Sequence, residues 1–170
     1  MKNRSQYILF VVVVLLVQVL LLNNLTFSPY IAPLAYIVLI IMTPLGTSSL
    51  KMILIGTLLG LVMDITMGVV GINVIATLPV AYFRRPILHF FAAYTDMDGE
   101  GGVPTKLRIS RFHNYVVAMV VIHSLIFFGF EHLTTANLDF IALRTAISTL
   151  VSVAVVYFFI GIFTAKLTQR

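Results

Sequence analysis

The chain has 170 residues, 60% of them hydrophobic and only 10% charged, against roughly a quarter charged in an ordinary soluble domain. A water-soluble fold is excluded, because even a soluble domain of ~150 residues leaves about 30% of its unfolded surface exposed and the mean hydropathy here is +1.06. The net charge of +5 is strung beside apolar runs rather than gathered on a polar face, so it reads as a membrane-topology signal and predicts no nucleic-acid partner.

A membrane-crossing helix needs ~20 apolar residues. On that measure the chain is a single transmembrane domain, 1–170, with spans near 7–22, 30–45, 50–68, 72–88, 113–131 and 140–166 and a cytoplasmic loop near 89–112. The expected fold class is an all-α integral membrane protein, a six-transmembrane-helix bundle.

The first run, MKNRSQYILFVVVVLLVQVLLLNN, starts like a signal peptide. Cleavage would need small residues just after the apolar stretch, and Asn23, Asn24 and Leu25 supply none, so an uncleaved first span is expected. Its one amide, Gln18, is expected to bond a neighbouring helix. The second run is short and marked by prolines, with Pro29 suited to a first turn and Pro33 and Pro44 placed to bend or stop a helix. The third carries Gly56 and Gly60 at the spacing that permits close helix approach, and a turn between Gly68 and Gly71 leads to the fourth. That run has only about a dozen apolar residues before Arg84 and Arg85, so the turn is expected to sit below the outer surface.

The longest connection has three parts. PILHFFAAY should leave the membrane along its surface, TDMDGEGGVP is an acidic, Gly-rich turn, and KLRISR suits an anionic inner leaflet. A plain solvated loop and a partner-binding segment are both open readings of it. With the amino terminus inside, the predicted cytoplasmic segments hold ten of the eleven Lys and Arg, Arg84 and Arg85 among them, and only Arg144 lies near an outer end. This bias predicts six spans with both termini cytoplasmic. Absence of cysteine removes disulfides, thiolate catalysis and thiol metal sites.

Asp64 is the only Asp within a predicted span, ~20 Å along the third helix from Lys51 at 1.5 Å per residue. Arg144, ~6 Å into the last helix from its outer end, lies at matching depth. A carboxylate at such depth costs several kcal/mol unless it is paired, protonated or hydrated (order of magnitude,). The expectation is an Asp64–Arg144 pair helped by Asn73, with His123 as rival partner and a plain helix-capping role as the alternative. Asp64 and Asn73 would also brace the turn at Gly68 and Gly71. On the fifth helix His123, Phe127 and Glu131 share a face, either a seam for a partner or an internal face of the bundle.

No catalytic, cofactor or metal set emerges. One intramembrane Asp cannot form a two-carboxylate protease dyad, Ser124 and His123 are adjacent and point to different helix faces, and His113, His123 and His132 are too far apart for a metal-binding helix. No phosphate-binding loop is present. The chain is expected to be no enzyme. A polar pocket for a lipid headgroup around Asp64, Asn73 and Arg144 is the remaining enzymatic reading.

The order of blocks carries a resemblance: a basic start, QVLLLNN, PYIAPLAYIVLIIMTPLGTSSL, GTLLGLVMDITMGVVGINVIAT, YFRRPIL, and a later HSLIFFGFE. Over nearly the whole chain, with the inner loop the loosest part, it resembles the MreD family of rod shape-determining proteins in the form seen in Bacteroidota. The resemblance implies a non-enzymatic component of the bacterial inner membrane, without a cofactor, that regulates cell shape and lateral peptidoglycan synthesis. Implied partners are an MreC-type bitopic protein, the MreB filament, the RodA and penicillin-binding synthase pair, and membrane lipid. That family also looks like the six-helix substrate-binding subunits of energy-coupling-factor vitamin transporters. Small-molecule uptake is therefore the second implied function, although the first helix lacks the Ala-x-x-x-Ala by which such subunits meet their energising module.

Overall fold

A computed structural model describes residues 3–24, 30–44, 46–91, 109–131 and 138–168. The readings made for Leu25, Pro29, His132 and the loop residues 92–108 lie outside these. Among the described residues all regular structure is helical: α1 (Asn3–Leu20), α2 (Val38–Ile41), α3 (Ser49–Met67), α4 (Ile72–Phe91), α5 (Ile109–Glu131) and α6 (Leu138–Thr168), with single 3-10 turns at Leu22–Asn24 and Ala35–Ile37.

Four stretches, Tyr7–Asn24, Ser49–Met67, Ser110–Glu131 and Leu138–Thr164, are long and apolar enough to cross a membrane. They coincide with the first, third, fifth and sixth predicted spans. The fourth predicted span forms a 20-residue helix that runs past the arginine pair to Phe91 and holds Pro79 and Pro86. Its outer face carries Arg85, Tyr82 and Phe83.

The second predicted span is not a continuous helix. Residues 31–34 are irregular, one 3-10 turn follows, and α2 lasts a single turn. Proline is the cause at both ends: Pro33 has no N–H and holds its predecessor out of the helical region, and Pro44 does the same to Thr43. This strap is the centre of the molecule, since no residue in 34–43 is more than 3% exposed.

Around the strap the other five helices close a ring. Neighbours in the ring are α1 with α3, α3 with α4, α4 with α5, and α5 with α6. The ring shuts where Phe10 of α1 meets Phe159 and Phe163 of α6, at centroid distances of 6.5 and 4.5 Å. Outward faces are apolar, with Leu54, Leu58 and Ile65 of α3 all more than half exposed, as lipid contact requires.

The tightest of these contacts is α3 against α4, and glycine permits it. A Cβ built on Gly56 would stand 2.7 Å from the Ala81 Cβ, and one on Gly60 would stand 2.6 Å from the Val74 Cα. Between the two helices Gly68 and Gly71 adopt φ values of 66° and 79°, a left-handed conformation that residues with a Cβ rarely take. The expected turn is therefore present.

Candidate functional site

The polar residues expected at membrane depth converge on this turn and on the strap. Asp64, near the end of α3, serves both sides of the turn. Its backbone carbonyl accepts from the Gly68 and Val69 N–H groups, closing α3. Its carboxylate reaches across to the start of α4, where Oδ1 accepts from the Asn73 backbone N–H at 2.8 Å and Oδ2 from the Val74 N–H at 3.2 Å. These are N–H groups that no turn of α4 can satisfy, and a carboxylate is the favoured charge at a helix N-terminus. Asp64 is thus an N-cap supplied by the preceding helix.

Asn73 extends the contact inward. Its Nδ2 donates to Asp64 Oδ1 at 3.0 Å, which fixes the amide orientation and leaves Oδ1 as the acceptor of the Tyr36 hydroxyl at 2.8 Å. The Tyr36 oxygen also lies 3.0 Å from His123 Nε2. Because the tyrosine proton is directed at Asn73, the imidazole donates through Nε2–H and presents a bare Nδ1. One directed chain of hydrogen bonds, His123 to Tyr36 to Asn73 to Asp64, joins α5, the strap, α4 and α3. Asn73, Tyr36 and His123 are fully buried and Asp64 is 6% exposed.

The strap's backbone is held by side chains of the surrounding helices. Gln18 of α1 donates to the Pro33 carbonyl at 3.0 Å and accepts from the Ala35 and Tyr36 N–H groups at 2.9 and 3.2 Å. Ser148 of α6 accepts from the Ala32 N–H and donates to the Tyr30 carbonyl, while Ser152 accepts from the Leu34 N–H. At the far end Arg84 of α4 donates to the Thr43 and Pro44 carbonyls and to the Tyr115 hydroxyl of α5. An irregular segment survives at membrane depth only where its polar groups are satisfied in this way. Gln18→Leu keeps the volume and strands two N–H groups and a carbonyl, so a loss of about 2 to 3 kcal/mol is expected. Denaturant unfolding in micelles measures it, and an unchanged midpoint would show that the strap does not depend on Gln18.

Two readings from sequence are corrected here. Arg144 does not pair with Asp64: its guanidinium bonds Glu131 Oε1 at 3.1 Å and lies over the Phe128 ring at 5.8 Å. The pairing rests on depth along the helices alone, and α6 borders α5 and the strap rather than the α3–α4 turn. Glu131 therefore serves the bundle internally, and the face of His123, Phe127 and Glu131 is an internal face. Arg84, counted with Arg85 among the charges of a predicted cytoplasmic segment, lies inside the bundle rather than on its surface. It is 1% exposed, no carboxylate lies within salt-bridge range of it among the described residues, and carbonyl dipoles balance its charge. Its neighbour Arg85 is exposed.

Ser148, Ser152 and Tyr36 are the site residues that sequence reasoning passed over; Arg84 was a candidate, but not for its bonds to the strap. The signal was available in part: a proline-broken run at membrane depth leaves free carbonyl and N–H groups, and these require polar partners nearby.

Chemically the arrangement is closed. The Asp64 carboxylate already accepts three N–H bonds, and an amide in the middle of the chain does not relay a proton. Among the described residues no group of three or more His, Asp or Glu is placed to hold a metal ion. No protein-family model matches the chain, and neither a curated protein nor a solved structure is significantly similar to it.

Proposed function

We propose that this protein is a non-enzymatic membrane scaffold of the bacterial cell-elongation machinery, acting through association with an MreC-type bitopic protein. The observation that carries the reading is the internal use of the polar residues. Asp64, Asn73 and Gln18 bond other parts of the same chain, leaving helix faces and loops as the means of contact with partners. The sequence blocks on which the resemblance rests supply these same braces, GLVMD and GINV at the α3–α4 turn and PLAYI in the strap. In this reading the chain lies in the inner membrane with both termini cytoplasmic.

The six crossings belong to the same proposal. The strap crosses as an unwound segment, since about five near-extended residues, one 3-10 turn and one α-helical turn cover nearly the ~30 Å of a hydrocarbon core. Crossing six times rather than five keeps the positive charge on one side.

Co-expression with the MreC-type protein of the same source, followed by extraction in mild detergent, tests the function. Copurification at fixed stoichiometry is expected. A folded, monodisperse protein that comes through alone would overturn it.

One observation favours the second reading, a substrate-binding subunit for uptake of a vitamin-type small molecule. Transporter sites are often built on unwound helices enclosed by others, and the strap has that form. Against it, the strap's N–H and carbonyl groups are taken by Gln18, Ser148, Ser152 and Arg84. Binding of small molecules to the purified protein, detected by native mass spectrometry, would favour uptake over the scaffold.

A further inference from the structure

The exposed side of α4 is not uniformly apolar. Tyr82, Arg85, Pro86 and His89 follow the helical spacing i, i+3, i+4, i+7 that puts residues on one face, and all four are exposed. Among the described residues no carboxylate engages Arg85. It is an open cation with an aromatic ring one turn before it and an imidazole one turn after.

The register of the neighbouring helices places Arg85 at a membrane boundary. Gly56 of α3 stands against Ala81 and Gly60 against Val74, so the two helices run antiparallel and the first turn of α3 lies level with Arg85. On the other side Arg84 bonds Tyr115, in the second turn of α5. Both neighbours are membrane-length apolar stretches that begin at this level, Ser49–Met67 and Ser110–Glu131. The carboxylates among the described residues lie at the opposite end, Asp64 in the last turn of α3, Glu131 closing α5 and Asp139 in the first turn of α6.

We propose that this face of α4 binds the headgroup of an anionic phospholipid, with the Arg85 guanidinium on the phosphate. A planar guanidinium matches phosphate oxygens two at a time, and a tyrosine beside it is the ring type favoured at headgroup level. The surface that continues into the membrane selects a lipid over an acidic peptide. Leu54 and Leu61 of α3 are 56% and 46% exposed, an apolar track for an acyl chain and a poor one for a peptide in water. The inference is independent of any protein partner, since it needs only the bilayer.

The chain contains no tryptophan, so Tyr82→Trp supplies a single indole one turn from Arg85 and keeps an aromatic ring there. The full-length protein is reconstituted in phosphatidylcholine bilayers containing either dibrominated phosphatidylglycerol or dibrominated phosphatidylcholine, whose bromines quench the indole at close range. A preference for phosphatidylglycerol of about fivefold is expected, as one arginine near an anionic surface supplies, and Arg85→Gln in the same background should abolish it. Lys51→Gln is the control. It removes a charge at the same end, but Lys51 lies ~140° round α3 from Gly56, which faces α4, so the preference should stay near its parent value. Equal quenching by the two lipids in Tyr82→Trp alone would overturn the proposal. So would an unchanged preference in Arg85→Gln, the result expected if that arginine serves an acidic protein segment, or equal falls in Arg85→Gln and Lys51→Gln, the mark of diffuse surface charge.

Discussion

Asp64→Ala is expected to cost about 4 kcal/mol or more. Two buried donors, the Asn73 backbone N–H and Nδ2, and the part-buried Val74 N–H lose their acceptor together, and each bond to a charged group contributes ~1.5 to 3 kcal/mol. Against a typical total of roughly 5 to 15 kcal/mol this threatens the fold itself. Asp64→Asn should fall between the two, since it retains one carbonyl oxygen for Asn73 and turns an NH₂ toward Val74. Calorimetric unfolding in micelles measures both. An Asp64→Ala midpoint within a degree of the parent would show that the carboxylate is not a brace.

Gly60→Ala is the second large effect. The added Cβ would sit 2.6 Å from the Val74 Cα and 2.9 Å from its nitrogen, and the obstruction is backbone, which cannot rotate away. The α3–α4 pair must separate, lifting the Val74 N–H from Asp64, at a cost of about 2 to 3 kcal/mol for overpacking. Gly129→Ala is the control. A Cβ there meets nothing within 4 Å, so the better helix propensity of alanine, ~1 kcal/mol, should leave stability equal or slightly higher. Equal losses at the two positions would mean that helix contact is not what Gly60 provides.

Much of the α3–α4 turn was legible in the sequence, because the constraints on it are local. Glycine at 68 and 71 between two apolar runs has few uses besides positive φ, and a lone carboxylate and amide nine residues apart across a tight turn must lie near one another. Arg144 was misplaced for a geometric reason. Counting residues along a helix gives depth, and depth leaves the direction around the bundle undetermined. Arg84 failed for the same reason in another form, since adjacent residues on a helix point ~100° apart and a rule that counts charges per loop treats Arg84 and Arg85 alike. The strap was hidden because an apolar window of 16 residues looks the same whether it is helical or broken. Its prolines were visible, but the clamps that make a broken segment tolerable come from residues as distant as Gln18 and Ser152.

The buried polar residues are braces within one chain, with Asp64 bound to the start of α4 and not to α6. Double-mutant cycles in unfolding free energy test it most directly, pairing Asp64→Ala with Asn73→Ala and, separately, with Arg144→Ala. A coupling of about 1 to 3 kcal/mol is expected for the first pair and near-additivity for the second. Strong coupling to Arg144 with none to Asn73 would contradict it.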